Sequence, residues 1–285
     1  MGGFASLAAL QAQLPYEQRA ALYRPVNGAA ASAVTSWQSF WTTPASAVSG
    51  FSQAGSAPGA AAVCTSATAG AIYTPRDAAK VSYVTALAFS LYNSVSLRVD
   101  PGSLILFDRL VHSSGLDATL TTTQNVNTPT LPARLNSAVG ADVEAFIECY
   151  VQLGSTGTTA TVAYTDSAGN PQTRAVTIPA TLRVGMLLPI FPAAGAAPGF
   201  KSIESVTLAA STTSAGNFGV TLARRILTTF ARRQTVPVAM LGGFDLGFPR
   251  VHGDACIWAT AFPSDGAAAN GVEALHLDLS LTEEA

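Results

Sequence analysis

Formal charge is scarce in this chain. Charged residues make up 11% of 285, the net charge is −2, and soluble domains usually carry about 25%. From residue 25 to residue 75 there is no Asp, Glu, Lys, Arg or His at all. Such a balance gives no bulk attraction to nucleic acid. Cysteine is also sparse. Cys64, Cys149 and Cys256 lie far apart with no CxxC spacing, and an odd number cannot pair completely within one chain. Three reduced, buried thiols are expected, as in a cytosolic product. The histidines are His112, His252 and His276, and no two have the spacing of a metal pair, so no metal site is expected. There is no apolar run of about 18 residues, hence no expected membrane helix. Neither a phosphate-binding G-x-x-x-x-G-K-[ST] nor a strand followed by G-x-G-x-x-G occurs, and no cofactor is expected.

Small residues fill the space that charge leaves. Hydrophobic residues reach 48%, much of it alanine, and Ser, Thr and Gly supply much of the rest. So little surface charge suits a protein covered by partners better than a free monomer. The opening MGGFASLAALQAQLP has no basic residue before its apolar part, which makes it a poor signal peptide. Phe4, Leu7 and Leu10 recur at helical spacing, and Pro15 and Glu17 suit the start of a second helical turn. A short helix pair is therefore expected over residues 4–23. Beyond it, the charge-free stretch holds one aromatic knot, Trp37, Phe40 and Trp41. This stretch reads as an arm lying in a groove of another subunit, or else as a loop-rich first layer of the same core. The expected division is a helical segment and low-charge arm over 1–75, then a β domain over 76–285.

From residue 80 the period shifts toward two. SVSLRV, SLILFDRLVH, SIESVTLAAS, FGVTLARRIL and GDACIWATAF read as strands, and DATLTTTQNV is rich in β-branched threonine. DVEAFIECYVQLG puts Val143, Ala145, Ile147 and Cys149 on one face and Glu144, Phe146, Glu148 and Tyr150 on the other, with a short helix as the alternative. TATVAYTDSAGNPQTRAVTIP is a hairpin. Val162, Tyr164, Val176 and Ile178 share one face, and Thr161, Ala163, Thr165 and Thr177 share the other. EALHLDLSLTEE aligns Leu275, Leu277, Leu279 and Leu281. Such spacing indicates a mainly β, antiparallel β-sandwich or jelly-roll-like domain with a partly helical, extended N-terminal arm.

Candidate chemistry is thin. Asp166-Ser167 lacks the G-x-S-x-G context and has the composition of a hairpin turn. A triad assembled from His112, Ser113 and Asp108 has no support in spacing. His276 and Asp278 read as one solvated strand face. Glu144 and Glu148 are the only reasonable carboxylates for a polysaccharide hydrolase, which needs them about 5–10 Å apart across a cleft. Trp258 and Tyr164 would be the exposed platforms of a glycan- or host-binding module. The clearest electrostatic feature is ARRILTTFARRQ, with Arg224, Arg225, Arg232 and Arg233 within ten positions. It suits bidentate docking on an acidic protein surface, or a strand and loop kept soluble by charge. Nucleic-acid contact is the least supported reading, because stacking aromatics are missing.

Three stretches, FDRLVHSSGLDATLTTTQNVN, VEAFIECYVQLGSTGTTATVAYTDSAGN and SVTLAASTTSAGNFGVTLARRI, resemble virion structural proteins of tailed bacteriophages. The resemblance spans roughly residues 70–260. It implies a multicopy, non-enzymatic minor capsid or head decoration protein on the capsid surface, made in the bacterial host cytoplasm. The implied partners are the major capsid protein and copies of the chain itself, most plausibly as a trimer. Trp37, Phe40 and Trp41 are the expected anchors of the arm, since aromatics commonly supply interface hot spots.

Overall fold

A computed structural model of the chain describes residues 18–25, 37–41, 61–68, 70–72, 77, 79–93, 98–99, 102–135, 140–231, 239–242, 246–263 and 274–283. Strands, numbered in chain order, fall into three antiparallel sheets. The first runs β1 (Gln18–Pro25), β17 (Ala274–Glu283), β4 (Val81–Asn93), β14 (Ala239–Gly242), with β5 (Arg98–Val99) and β15 (Arg250–His252) paired onto β4. The second runs β10 (Pro171–Ile178), β9 (Thr158–Asp166), β12 (Phe200–Leu208), β7 (Gln124–Asn125). The third runs β13 (Asn217–Ala231), β8 (Val143–Val151), β11 (Met186–Ile190), β2 (Trp37–Ser39), β16 (Ile257–Pro263), β6 (Gly102–His112), β3 (Ala62–Val63).

The third sheet closes on itself, because β13 also pairs with β6 over Thr221–Ala231. Strands β6, β13, β8, β11, β2 and β16 thus form a ring. Strand alternation then sorts their side chains into an inside and an outside. On β8, Ala145, Ile147 and Cys149 point out and pack with Val162, Tyr164, Ile203 and Val206 of the four-stranded sheet. On β6 and β16, Leu104, Leu106, Ile257 and Ala259 point out and pack with Val84, Leu87, Phe89, Leu277 and Leu279 of the six-stranded sheet. The opposite faces of the same strands contribute Ile105, Phe107, Phe146, Tyr150 and Trp258 to a third cluster inside the ring. The ring is therefore the middle of a sandwich-like stack, buried on both faces. Each fully buried Leu, Ile or Phe contributes about 1.5–3 kcal/mol, which makes three contiguous clusters ample to organise the chain.

The hairpin forms as its pattern indicates. β9 and β10 pair from Thr158↔Ile178 to Thr165↔Pro171 without a bulge. Val162, Tyr164 and Ile178 are fully buried, while Thr161, Thr173, Ala175 and Thr177 are exposed. In the turn, Asp166 accepts the Gly169 and Asn170 amides, at its carbonyl (2.9 Å) and its Oδ1 (2.9 Å). Gly169 supplies the positive φ of 88°. The Asn170 amide first, and then the Ala197 amide, which donates to Oδ2 at 3.1 Å, hold the Asp166 carboxyl below its ordinary pKa. Asp166-Ser167 is turn chemistry.

Two expectations change. A helix does not form over 18–25: β1 pairs with β17 from Gln18↔Leu281 to Pro25↔Ala274. A helix of a few turns is marginal alone, and an eight-residue ladder satisfies the same backbone groups. Residues 1–17 lie outside the described residues. The threonine-rich DATLTTTQNV stretch yields only the two residues of β7. Strand β8 forms over the region where a helix was the alternative, with the two faces as read.

Candidate functional site

The ring encloses a polar network built from five of its strands and ringed by aromatics. Arg109 projects inward from β6 and Glu148 from β8. Their ion pair is 2.6 Å long between Nη2 and Oε2, and both side chains are at most 1% exposed. Glu148 accepts three further hydrogen bonds: from Tyr150 Oη (2.8 Å), Thr221 Oγ1 (2.8 Å) and Ser39 Oγ (2.6 Å). Ser39 in turn accepts from Trp258 Nε1 at 3.0 Å. The guanidinium lies between two indoles, 4.4 Å from the Trp41 ring centroid and 4.8 Å from that of Trp258. Cation–π contact of this desolvated kind is worth about 2 kcal/mol.

His112 completes the cluster. Its Nδ1 lies 2.5 Å from Arg109 Nη2 and 2.8 Å from the Tyr150 hydroxyl. Arginine can only donate, so Nδ1 accepts and the ring proton sits on Nε2. Burial, and then the neighbouring Arg109 charge, hold His112 well below its ordinary pKa. Burial works against the Arg109 charge, but Glu148 more than offsets it and the guanidinium stays protonated. Burial first, then Glu148, raise Tyr150 well above its usual range. The carboxylate is thus saturated with donors and enclosed, and the arrangement ties β2, β6, β8, β13 and β16 together across the ring.

A second buried cluster faces the other way from β6. Asp108 receives Arg134 at Nε (3.0 Å) and Nη2 (3.0 Å) and the Cys256 amide (3.1 Å). Burial raises its pKa against the lowering effect of Arg134. Arg134 also donates to the Cys64 carbonyl at 2.7 Å, pinning the segment after β3. His112, Ser113 and Asp108 do not converge: Ser113 Oγ bonds the Val220 backbone instead. The three cysteines are buried and form no disulfide with one another, and burial pushes Cys149 up to about 12.

The paired-carboxylate expectation separates into two environments. Glu148 is inside the ring. Glu144 lies at the rim, beside a groove of about 350 Å³ with Phe146, Pro189, Ile190 and Phe191, and receives both Arg225 Nε (2.8 Å) and Nη2 (2.9 Å). The two carboxylates do not share a cleft. Trp258 and Tyr164 are each 1% exposed, so neither presents a sugar platform: Trp258 points into the ring and Tyr164 into the core between the ring and the four-stranded sheet.

The aromatic knot is used within the chain. Phe40 joins the outer core and Trp41 the ring interior, and both are buried. Trp37 packs on Phe262 with centroids 5.1 Å apart. The described parts of the charge-free stretch belong to the first layer of the domain's own core. Of the arginine cluster, Arg224 is mostly buried, 3.8 Å from Asp108, and Arg225 is exposed. Arg232 and Arg233 lie outside the described residues.

Sequence reasoning missed Arg109 and Arg134. The available signal for Arg109 was a lone basic residue in SLILFDRLVH, a strand otherwise too apolar to have a solvent face.

No family model matches the chain, and no curated protein matches it. Among solved structures, it has a distant likeness to the VP2 capsid protein of infectious bursal disease virus. One such structure, a mutant VP2 in T=1 particles, has 11% identity and a TM-score of 0.21 over 94% of this chain and 77% of the other. A second, also of T=1 particles, has 11% identity and a TM-score of 0.20 over 94% and 78%. A VP2 subviral particle has 9% identity and a TM-score of 0.21 over 98% and 86%. At these scores, no residue correspondence follows.

Proposed function

We propose that the chain is a non-enzymatic structural component of a tailed-phage virion, bound to the capsid lattice as a minor capsid or decoration protein. The carrying observation is the outer face of the four-stranded sheet. Thr161, Thr173, Ala175 and Thr177 stand exposed there, and Glu204, at a bulge, is taken up by the Thr165 and Ser202 hydroxyls at 2.8 and 2.6 Å. A regular face with so little charge is poorly suited to remain bare. The sequence resemblance to phage virion proteins supports the same reading. So does an interior in which polar groups are consumed by structure. The partners are the major capsid protein and further copies of the chain; nucleic acid and membrane have no part in it. Exposed Arg225 is the described member of the arginine cluster open to an acidic partner.

The test is particle composition. Purified virions should contain the chain, and cryo-electron microscopy should place it on the outer lattice. Deleting residues 1–60 is a poor probe, because it removes β1 and β2 and opens the ring. Charge substitution on the exposed threonine face, Thr161→Glu with Thr177→Glu, keeps the fold and should abolish occupancy.

A further inference from the structure

We propose that β10 is a dimerisation edge: two copies of the chain pair β10 with β10 antiparallel about a two-fold axis at Ala175, joining their four-stranded sheets into one. The inference rests on edge geometry and holds whether or not the chain is a virion protein. β10 ends its sheet. Hydrogen-bonded and non-hydrogen-bonded pairs alternate along an antiparallel ladder. The Asp166 amide donates to the Asn170 carbonyl at 3.0 Å, so that pair is a bonded one. Parity then makes Gln172, Arg174, Val176 and Ile178 bond to β9. Thr173, Ala175 and Thr177 direct N–H and C=O away from it. None of these three has a backbone partner among the described residues. Pro171 shares the outward parity, where its missing N–H costs the hairpin nothing.

This edge is long and straight. Its ladder with β9 runs eight pairs without a register shift, whereas β12 meets β9 with two shifts. The sheet's other edge, β7, is only two residues. Free monomers usually blunt an edge of this kind with bulges, lysines or brevity. β10 has none of these over Thr173–Thr177; its guards are Pro171 at one end and Arg174 on the face shared with Val176, and both leave the outward N–H and C=O groups of Thr173, Ala175 and Thr177 open.

A second copy fits because the strand is self-complementary. With the axis at Ala175, Thr173 lies opposite the partner copy's position 177, and Arg174 opposite its position 176. No like charges meet, and each outward residue donates and accepts one bond. Centring on Thr173 instead would place Pro171 where an amide is needed. Centring on Arg174 would set two like charges directly opposite each other and Pro171 opposite position 177, where an amide is needed; centring on Val176 would set Pro179 opposite position 173, again without an amide.

The test uses the full-length chain. Light scattering behind size exclusion should give a dimer, and Ala175→Pro should give a monomer with unchanged circular dichroism. Directly opposed bonded residues have Cα atoms about 5.5 Å apart, within disulfide range of about 4.4–6.8 Å. Ala175→Cys should therefore form a covalent dimer under mild oxidation. Thr161→Cys, on the same exposed face one strand inward, should not. The native thiols are buried and stay out of the reaction. A wild-type monomer at every concentration would overturn the proposal. So would equal cross-linking of both cysteine variants, or a dimer that persists in Ala175→Pro. If the proline variant fails to fold, the cysteine pair decides alone.

Discussion

Arg109 and Glu148 meet at 2.6 Å inside the ring, from β6 and β8, two strands that do not pair with each other. Between them lies β13, whose Thr221 hydroxyl donates to the same carboxylate. The pair therefore fixes the spacing of three strands. Replacing Glu148 by Gln leaves a buried guanidinium without its counter-charge, and urea unfolding should register a loss of about 3–5 kcal/mol. The double change Arg109→Met with Glu148→Leu removes both charges together. It should recover most of that loss, because the desolvation cost disappears with the pair.

Stability should fall as pH drops through the histidine range. His112 is neutral in the fold, its pKa lowered by burial and by Arg109, while the unfolded chain protonates near 6.5. Above that value neither state carries the proton, and stability is level. Below it the unfolded chain takes up a proton that the fold refuses. Each such group costs about 1.4 kcal/mol per pH unit. His252, only partly buried, is lowered by burial and by Arg250 and adds a smaller, solvent-screened share. Denaturation midpoints between pH 7.5 and 5 should show the decline, and His112→Gln should flatten it.

Trp41→Ala should destabilise the isolated chain by about 3–5 kcal/mol, because it empties a fully buried site and uncovers one face of the Arg109 guanidinium. Thermal melts of the purified protein would read this without any partner. An unchanged melt would show that the indole lies outside the core.

Arg225→Ala should behave in the opposite way. Its bond to Glu144 is half exposed, and such pairs contribute about 0–1 kcal/mol. Stability should barely move, while association with an acidic capsid surface should weaken and become less sensitive to salt. Binding measured at two ionic strengths would separate the two effects.

The hairpin was legible because its information is local. Alternation from Thr159 to Ile178 and a turn of Asp, Gly and Asn specify both register and faces. The ring was not. It closes through β2, three residues with no alternation to read, and through bonds such as Ser39–Glu148 and Trp258–Ser39, separated by 109 and 219 positions. The alternation put Glu148 on one face with Glu144, and one exposed face per strand is the ordinary antiparallel case. Here a second layer covers the outside of β8 and the ring covers the inside. The same closure drew Trp41 and Phe40 inward from a stretch whose composition suggested an arm. Gln18–Pro25 misled for a related reason: its partner, β17, lies at the far end of the chain, beyond the reach of local periodicity.

Quantitative mass spectrometry of purified virions tests the virion assignment most directly. The expected result is the chain at a copy number on the scale of the capsid's own subunits, lost from particles when Thr161 and Thr177 are both changed to Glu. Particles that assemble in cells producing the chain yet contain none of it would contradict the assignment.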